Sequence, residues 1–429
     1  MAKTYRPYVP EQDLLLPPSL REWLPEDHLA FFVSDLIDQL DLSAITSGYE
    51  DEDRGYPPYH PVMLTKVVVY AYCVGVFSSR RIQRRLVEDV AFRVLAAGNQ
   101  PDFRTIADFR KRHLTALRGF FEQVLHLARE LGAPRVGRVA LDSSKINANA
   151  SKHKAMSYGR MSEKQRQLRN EVNELLAQAE AADAAEDAEY GPDQRGDELP
   201  AELQRRESRL KRIREAKRAL EARAKTEAAA AGKPVEAAKP DPKAQYNFTD
   251  PESRIMKGPD GFVQAYNVQV AVDDLQLIVG HAVTQETNDK KQLMPMITTI
   301  AQQSGATPDQ VLADAGYCSD ESLTAIADTT IDAYISTRKQ THGERPGPCP
   351  RGPLPKTATM VDRMSRKLHT KTGAAVYAAR KGIVEPVIGQ IKQARGFRQF
   401  FLRGIEKVQG EWSLVCTTHN ILKLYRLCA

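Results

Sequence analysis

The 429-residue sequence predicts an α/β protein, a mixed sheet flanked by helices, with an all-α N-terminal region and an inserted helical hairpin. Three observations predict it. Apolar residues recur at helical spacing through residues 1–132. From Val136 onward, short apolar segments bounded by turn residues alternate with helical patterns, the arrangement of a sheet covered by helices. Between Glu163 and Arg223 the chain is rich in Ala, Glu, Arg, Lys, Gln and Leu, with apolar positions alternating four and three apart.

Taken in order, "SLREWLPEDHLAFFVSDLIDQLDLSAI" reads as a helix with Ser19 as its N-cap, and "PVMLTKVVVYAYCVGV" as a more buried one. Ser78 and Ser79 introduce an amphipathic helix with Arg80, Arg81, Arg84 and Arg85 on its first turns, stopped by Gly98. Helix restarts at Thr105, with Asp108 completing a capping box, and carries Arg110, Lys111 and Arg112. Ten Lys/Arg face four Asp/Glu between Ser78 and Arg118, so a solvated helix face and a helix-turn-helix-like DNA contact are both open readings. Val136 to Leu141 reads as a strand ending in Asp142. The hairpin follows within residues 151–245, pairing Leu168, Val172, Leu175, Ala179 and Ala182 with Leu203, Leu210, Ile213, Leu220 and Ala224. Two strands then flank an Asp273-Asp274 turn. A helix, the strand in "DQVLADAG" that ends in Asp314, another helix, the strand "DAYIST" and a basic helical tail complete the chain.

Composition narrows the function. The formal net charge is only +6, so its distribution matters more than its sum. Five scattered cysteines without a CxxC pair argue against a disulfide framework or a thiolate zinc site and fit a reducing cytoplasm. The N-terminus lacks a signal-peptide core, and no apolar stretch reaches the ~20 residues of a membrane helix. The expectation is a soluble cytoplasmic protein with no membrane partner.

Two strand-terminal acids, Asp142 and Asp314, and the helical Glu385 can converge at one sheet edge. They offer oxygen ligands only, which suits a hard cation, Mg2+ or Mn2+, completed by water and phosphate. Two such ions can clamp an in-line phosphodiester displacement. Singly, each acid reads more simply as a turn residue, a helix cap or an ion-pair partner. The basic company of Glu385 favours a phosphate-binding frame: Arg380, Lys381, Lys392, Arg395, Arg398, Arg403 and Lys407.

Five segments carry a resemblance over nearly the whole chain: "LLPPSLREWLPEDHLA", "GVFSSRRIQRRLVEDVAFRVLAAGNQPDFRTIADFRKRH", "VALDSSKINANASKHKAM", "VLADAGY" and the long block from "RKGIVEPVIGQIKQARGF" to "THNILKL". In these the chain resembles the DDE transposases of bacterial insertion sequences. The resemblance implies a ribonuclease-H-like catalytic domain over 133–429, interrupted by the 151–245 hairpin, behind a DNA-binding domain over 1–132. It implies Asp142, Asp314 and Glu385 as catalytic metal ligands, two Mg2+ ions, and cleavage and strand transfer at the element's terminal inverted repeats and target DNA, with a homodimer on DNA. The family's Tyr–Arg–Glu–Lys pattern maps onto Tyr377, Arg380, Glu385 and Lys392, with one departure. The pattern places its Arg four positions before the Glu, where this chain has Lys381. Ser143-Ser144 stand where Gly-Thr is expected after the first acid. Trp412 and His419 read as packing residues, and Pro386 as a kink or helix start. A nuclease without strand transfer and a silent DNA-binding regulator are the competing readings, and the hairpin's near-balanced charge favours protein contact.

Overall fold

The computed structural model describes residues 19–50, 57–130, 132–133, 136–190, 201–258, 261–338, 349, 352–355 and 357–428. The N-terminal region is helical: α1 (Leu29–Asp38), α2 (Ser43–Glu50), α3 (Pro61–Cys73), α4 (Ser79–Glu88), α5 (Val90–Leu95), α6 (Phe103–Arg112) and α7 (Leu114–Glu130). Ser19 caps a short 3-10 turn, Leu20–Trp23, and not α1, whose cap is His28. The helix expected from Ser79 to Gly98 breaks at Asp89, which turns extended and caps α5 with its own carboxylate. Asp102 accepts from the amides of Arg104 and Thr105, so α6 begins two residues before the expected Thr105 start.

The sheet combines β1 (Arg138–Asn147), β4 (Arg254–Gly258), β5 (Gly261–Asp273), β6 (Ile278–Thr284), β7 (Gln310–Ala313) and β8 (Asp332–Ile335) in the order β4-β5-β1-β7-β8. β6 shares the β4 side of β5, pairing with its second half, and β4 itself was not foreseen. β1 runs antiparallel to β5 and parallel to β7, which runs parallel to β8. The expected Asp273-Asp274 turn is present, its Asp273 carboxylate accepting from the amides of Leu275 and Leu277.

Inside the sheet's boundaries, β2 (Ala155–Ser157) pairs with β3 (Gln245–Asn247) to close the base of the inserted hairpin, α8 (Tyr158–Tyr190) and α9 (Ala201–Ala230). Leu168, Leu210, Ile213 and Leu220 form its buried seam; the side chains of Ala179, Ala182 and Leu203 lie outside the described residues. The remaining helices are α10 (Leu293–Ser304), α11 (Asp320–Ala327), α12 (Met360–His369), α13 (Lys371–Gly389) and α14 (Ile405–Cys428).

Alternation along the strands assigns the two faces. Ala140, Ile146, Val268, Val270 and Leu312 join the N-terminal helices, α13 and α14 in one core. Val139, Leu141, Ala271, Val311 and Ala313 join α10 and α11 in the other. The expected packing roles hold: Trp412 and His419 are buried, and their ring nitrogens meet the carbonyls of Gln269 and Gln276. Pro386 lies within α13 and neither starts it nor ends it. Proline cannot donate to the Gly382 carbonyl one turn back, and that carbonyl accepts from Gln276 Nε2 instead, at 3.0 Å. No described helix is long and apolar enough to cross a membrane.

Candidate active site

Asp142 does not end its strand, as the sequence suggested, but sits mid-way along β1, opposite Val270. Its other neighbour does end. The last β1–β7 pair is Ala140 with Leu312, so two residues on, Asp142 and Asp314 lie side by side where β7 stops. Parity places both on the face of Ala140 and Leu312, the face covered by α13 and its Glu385. Asp314 caps the Ala315–Tyr317 turn through Gly316 N, at 3.0 Å.

Burial pushes the Asp142 carboxyl up to about 6, against the pull of Arg380 and the Ser143 amide, with Asp314 and Glu385 adding like charge. Asp314 is shifted in the same direction, chiefly by burial. Arg380 answers both: its Nη1 lies 3.5 Å from Asp142 Oδ2 and its Nη2 3.6 Å from Glu385 Oε1. Its Nε is buried with no hydrogen-bond partner. Burial pushes the hydroxyl of Tyr377, one turn back, upward, against the pull of the neighbouring Arg380 charge. Lys381 points away from the acids and lines a cavity of about 210 Å³ with Ser336, His369 and Tyr377. Lys392 lies on a π-turn, Gln390–Ala394, and donates to Ser144 Oγ at 2.9 Å, which sets it beside β1.

The three acids thus share a face, yet among the described residues no group of three His, Cys, Asp or Glu is arranged to hold a metal ion. The Arg380 guanidinium bridges Asp142 and Glu385. The donor set still fits a hard divalent cation: its ligands are carboxylate oxygens, and the raised Asp142 and Asp314 carboxyls reflect burial that an added positive charge would offset.

A fourth acid escaped sequence reasoning. Asp289, nearly buried, accepts from Asn267 Nδ2, Gln269 Nε2 and Ser143 Oγ, each at 2.7 Å. Lys145 Nζ stands 4.0 Å away. A Cβ on Gly316 would meet Asp314 Oδ1 at 3.0 Å and Asp289 Oδ2 at 3.2 Å, so glycine is what lets the two acids face each other. Asp289 lies in the polar loop "TQETNDKKQ", where an Asp signals only a turn or cap, so no periodicity could have found it.

Two residues expected on DNA are turned inward. Arg110 is buried and donates to the Tyr72 hydroxyl at 2.9 Å and the Phe77 carbonyl at 2.8 Å; Tyr72 in turn reaches the buried Glu411. Arg395 donates to Thr418 Oγ1 and the Val415 carbonyl and has its Nε buried, pinning the π-turn to α14. Helical phase explains both: clusters of Arg and Lys on consecutive positions cannot all face one side. Arg84 and Arg85 are exposed but paired with Glu88 and Asp89, and Arg80 lies over the Phe103 ring. Arg81, Lys111, Arg112, Arg398 and Arg403 are exposed.

Two family models match the chain. One, a transposase domain known as DUF772, covers residues 18–112; the other, a transposase DDE domain, covers residues 354–425. Together these matches support an insertion-sequence DDE transposase. The DDE match spans Tyr377, Arg380, Glu385 and Lys392, whereas Asp142 and Asp314 lie between the two matched segments. No curated protein and no solved structure matches the transposase. Transposases act on DNA, and the DDE family implies dependence on a divalent metal.

Proposed function

We propose that this transposase binds the terminal inverted repeats of its own insertion sequence, cleaves the strand there, and joins the freed end to target DNA. The observation that carries this reading is the shared face: Asp142 and Asp314 on adjacent strands, under the α13 helix that bears Arg380 and Glu385. We assign residues 1–132 to DNA binding and 133–429 to a ribonuclease-H-like catalytic domain, interrupted by the 151–245 hairpin.

Asp142, Asp314 and Glu385 would hold the divalent metal, as two Mg2+ ions for which Mn2+ can substitute. When bound, the metal supplies Lewis acidity at the phosphorus and neutralises developing charge. The chain's own residues do the rest. Arg380, which lies against Asp142 and Glu385 with Tyr377 beside it, would contact a phosphate oxygen of the strand. Lys392, anchored on Ser144, fixes the strand beside β1. Cleavage exchanges a P–O bond of the strand for one to water oxygen and frees a 3′-hydroxyl. Transfer exchanges a target P–O bond for one to that hydroxyl. Each step replaces one oxygen on phosphorus by another, so one site serves both, without a covalent protein–DNA link. Joining two ends calls for two protomers on DNA.

The test is end-labelled DNA from the gene's own flanks with purified protein and Mg2+, comparing wild type with Glu385→Gln. Cleavage at the element's end by wild type alone is the expected result. Cutting that ignores the end sequence would identify a nuclease, and binding without cutting by either protein a regulator.

A further inference from the structure

Where the inserted hairpin meets the sheet, the β2–β3 ladder and α9 enclose a groove of about 640 Å³. Its lining includes Lys154, Arg209 and Arg212, set against the single acid Glu215. Elsewhere on α9, Arg206 pairs with Glu171 and Arg223 with Glu227. Lys154, Arg209 and Arg212 are exposed and have no ion-pair partner among the described residues. The near-balanced charge of the hairpin therefore hides a local surplus at its root. Beside these cations stand two rings, Tyr246 and Phe248, in edge contact at 5.6 Å, with Phe248 37% exposed.

The chain leads from β1 directly to the groove. Beyond Asp142, Lys392 meets Ser144, Gln399 bridges to Asn147, and Arg403 Nε donates to the Asn149 carbonyl at 2.9 Å. Asn247 then caps the Ser151 carbonyl, and Phe248 N donates to the Lys154 carbonyl at 3.0 Å. Cations thus follow the backbone from the acids to the groove.

We propose that this groove binds an unpaired DNA strand leading away from the active site, with Lys154, Arg209 and Arg212 on phosphates and a base stacked on Phe248. The proposal rests on the transposase reading and extends it to the hairpin. An exposed aromatic among unpaired cations is the chemistry of single-strand binding, because a duplex keeps its base faces stacked and offers no free π-surface.

Equilibrium anisotropy tests it, using a terminal-repeat duplex with a blunt end and the same duplex with a single-stranded extension. Wild type is expected to bind the extended duplex about tenfold more tightly, the worth of one stacked base. Phe248→Ser should lose that advantage and Phe248→Trp keep it, both leaving blunt-duplex affinity unchanged. The pair Arg209→Gln/Arg212→Gln should lower the salt slope on the extended duplex by about 0.7 for each phosphate no longer neutralised. Equal wild-type affinity for the two DNAs overturns the proposal, as does equal loss on both in the variants. So does a change in oligomeric mass without a change in DNA binding, which would make the groove a protein contact. Failure of the transposase reading itself shows separately, in the Glu385→Gln cleavage comparison.

Discussion

Asp142 couples the site to stability. Its carboxyl, ordinarily near 3.8, is pushed up to about 6 in the fold, so folding takes up a proton between those values. Stability is therefore highest below that window and falls as pH rises through it, by up to roughly 3 kcal/mol. Without divalent metal, Asp142→Asn is expected to raise the melting temperature near neutral pH and to leave it unchanged at about pH 3.5, where both folded and unfolded carboxyls are largely protonated. Adding Mg2+ near neutral pH should raise the melting temperature of wild type and not of Asp142→Asn; thermal melts across pH read both. Gly316→Ala is expected to cut cleavage at least about tenfold with little change in melting temperature, because its Cβ would press on Asp314 and Asp289. A variant that cleaved at the wild-type rate would show that the two acids need no close approach.

Elements are joined here by side chains that sequence reasoning had given to DNA. Tyr72 on α3, Arg110 on α6 and Glu411 on α14 form one buried network, and Arg395 ties the π-turn to α14. Removing a buried charge strands its partners, so Arg110→Met is expected to destabilise by about 3 kcal/mol, measured by urea denaturation. If Arg110 served DNA instead, that variant would bind less and unfold at the same urea concentration as wild type. α14 also packs closely on α7: a Cβ on Gly410 would lie 2.5 Å from Leu114 Cγ. Gly410→Ala should therefore cost about 1–3 kcal/mol by overpacking, read in the same urea titration.

For the whole molecule, a net charge of +6 is too small to steer DNA by itself, so binding must come from local patches. Lys111 and Arg112, exposed at the end of α6, are the cleaner test of the N-terminal contribution. The pair Lys111→Gln/Arg112→Gln is expected to reduce the salt dependence of duplex binding by about 0.9 for each phosphate those side chains neutralise, with urea stability unchanged. An unchanged slope would remove that end of α6 from the DNA surface. The N-terminal helices share one continuous apolar core with α13, α14 and one face of the sheet, so the proposed DNA-binding helices are fixed relative to Glu385.

Local sequence was enough for the α/β class, the hairpin seam at Leu168, Leu210 and Ile213, the strand before Asp314, and the acids worth watching. Those features are written in periodicity and turn chemistry, which neighbours in the chain can express. It could not say that β1 runs on through Asp142, because a strand continues wherever a partner supplies hydrogen bonds, and β5 supplies them to Asn147. Nor could it tell Arg110 and Arg395 from their exposed neighbours, since a fraction of a helical turn separates a phosphate contact from a buried pin. Asp289 and its link to Ser143 span 146 positions of chain, and only the closing of the sheet brought them together. Long-range pairing carries no local signature, so the site's fourth acid, the bridging role of Arg380 and the groove at the hairpin's root were set by how the elements pack.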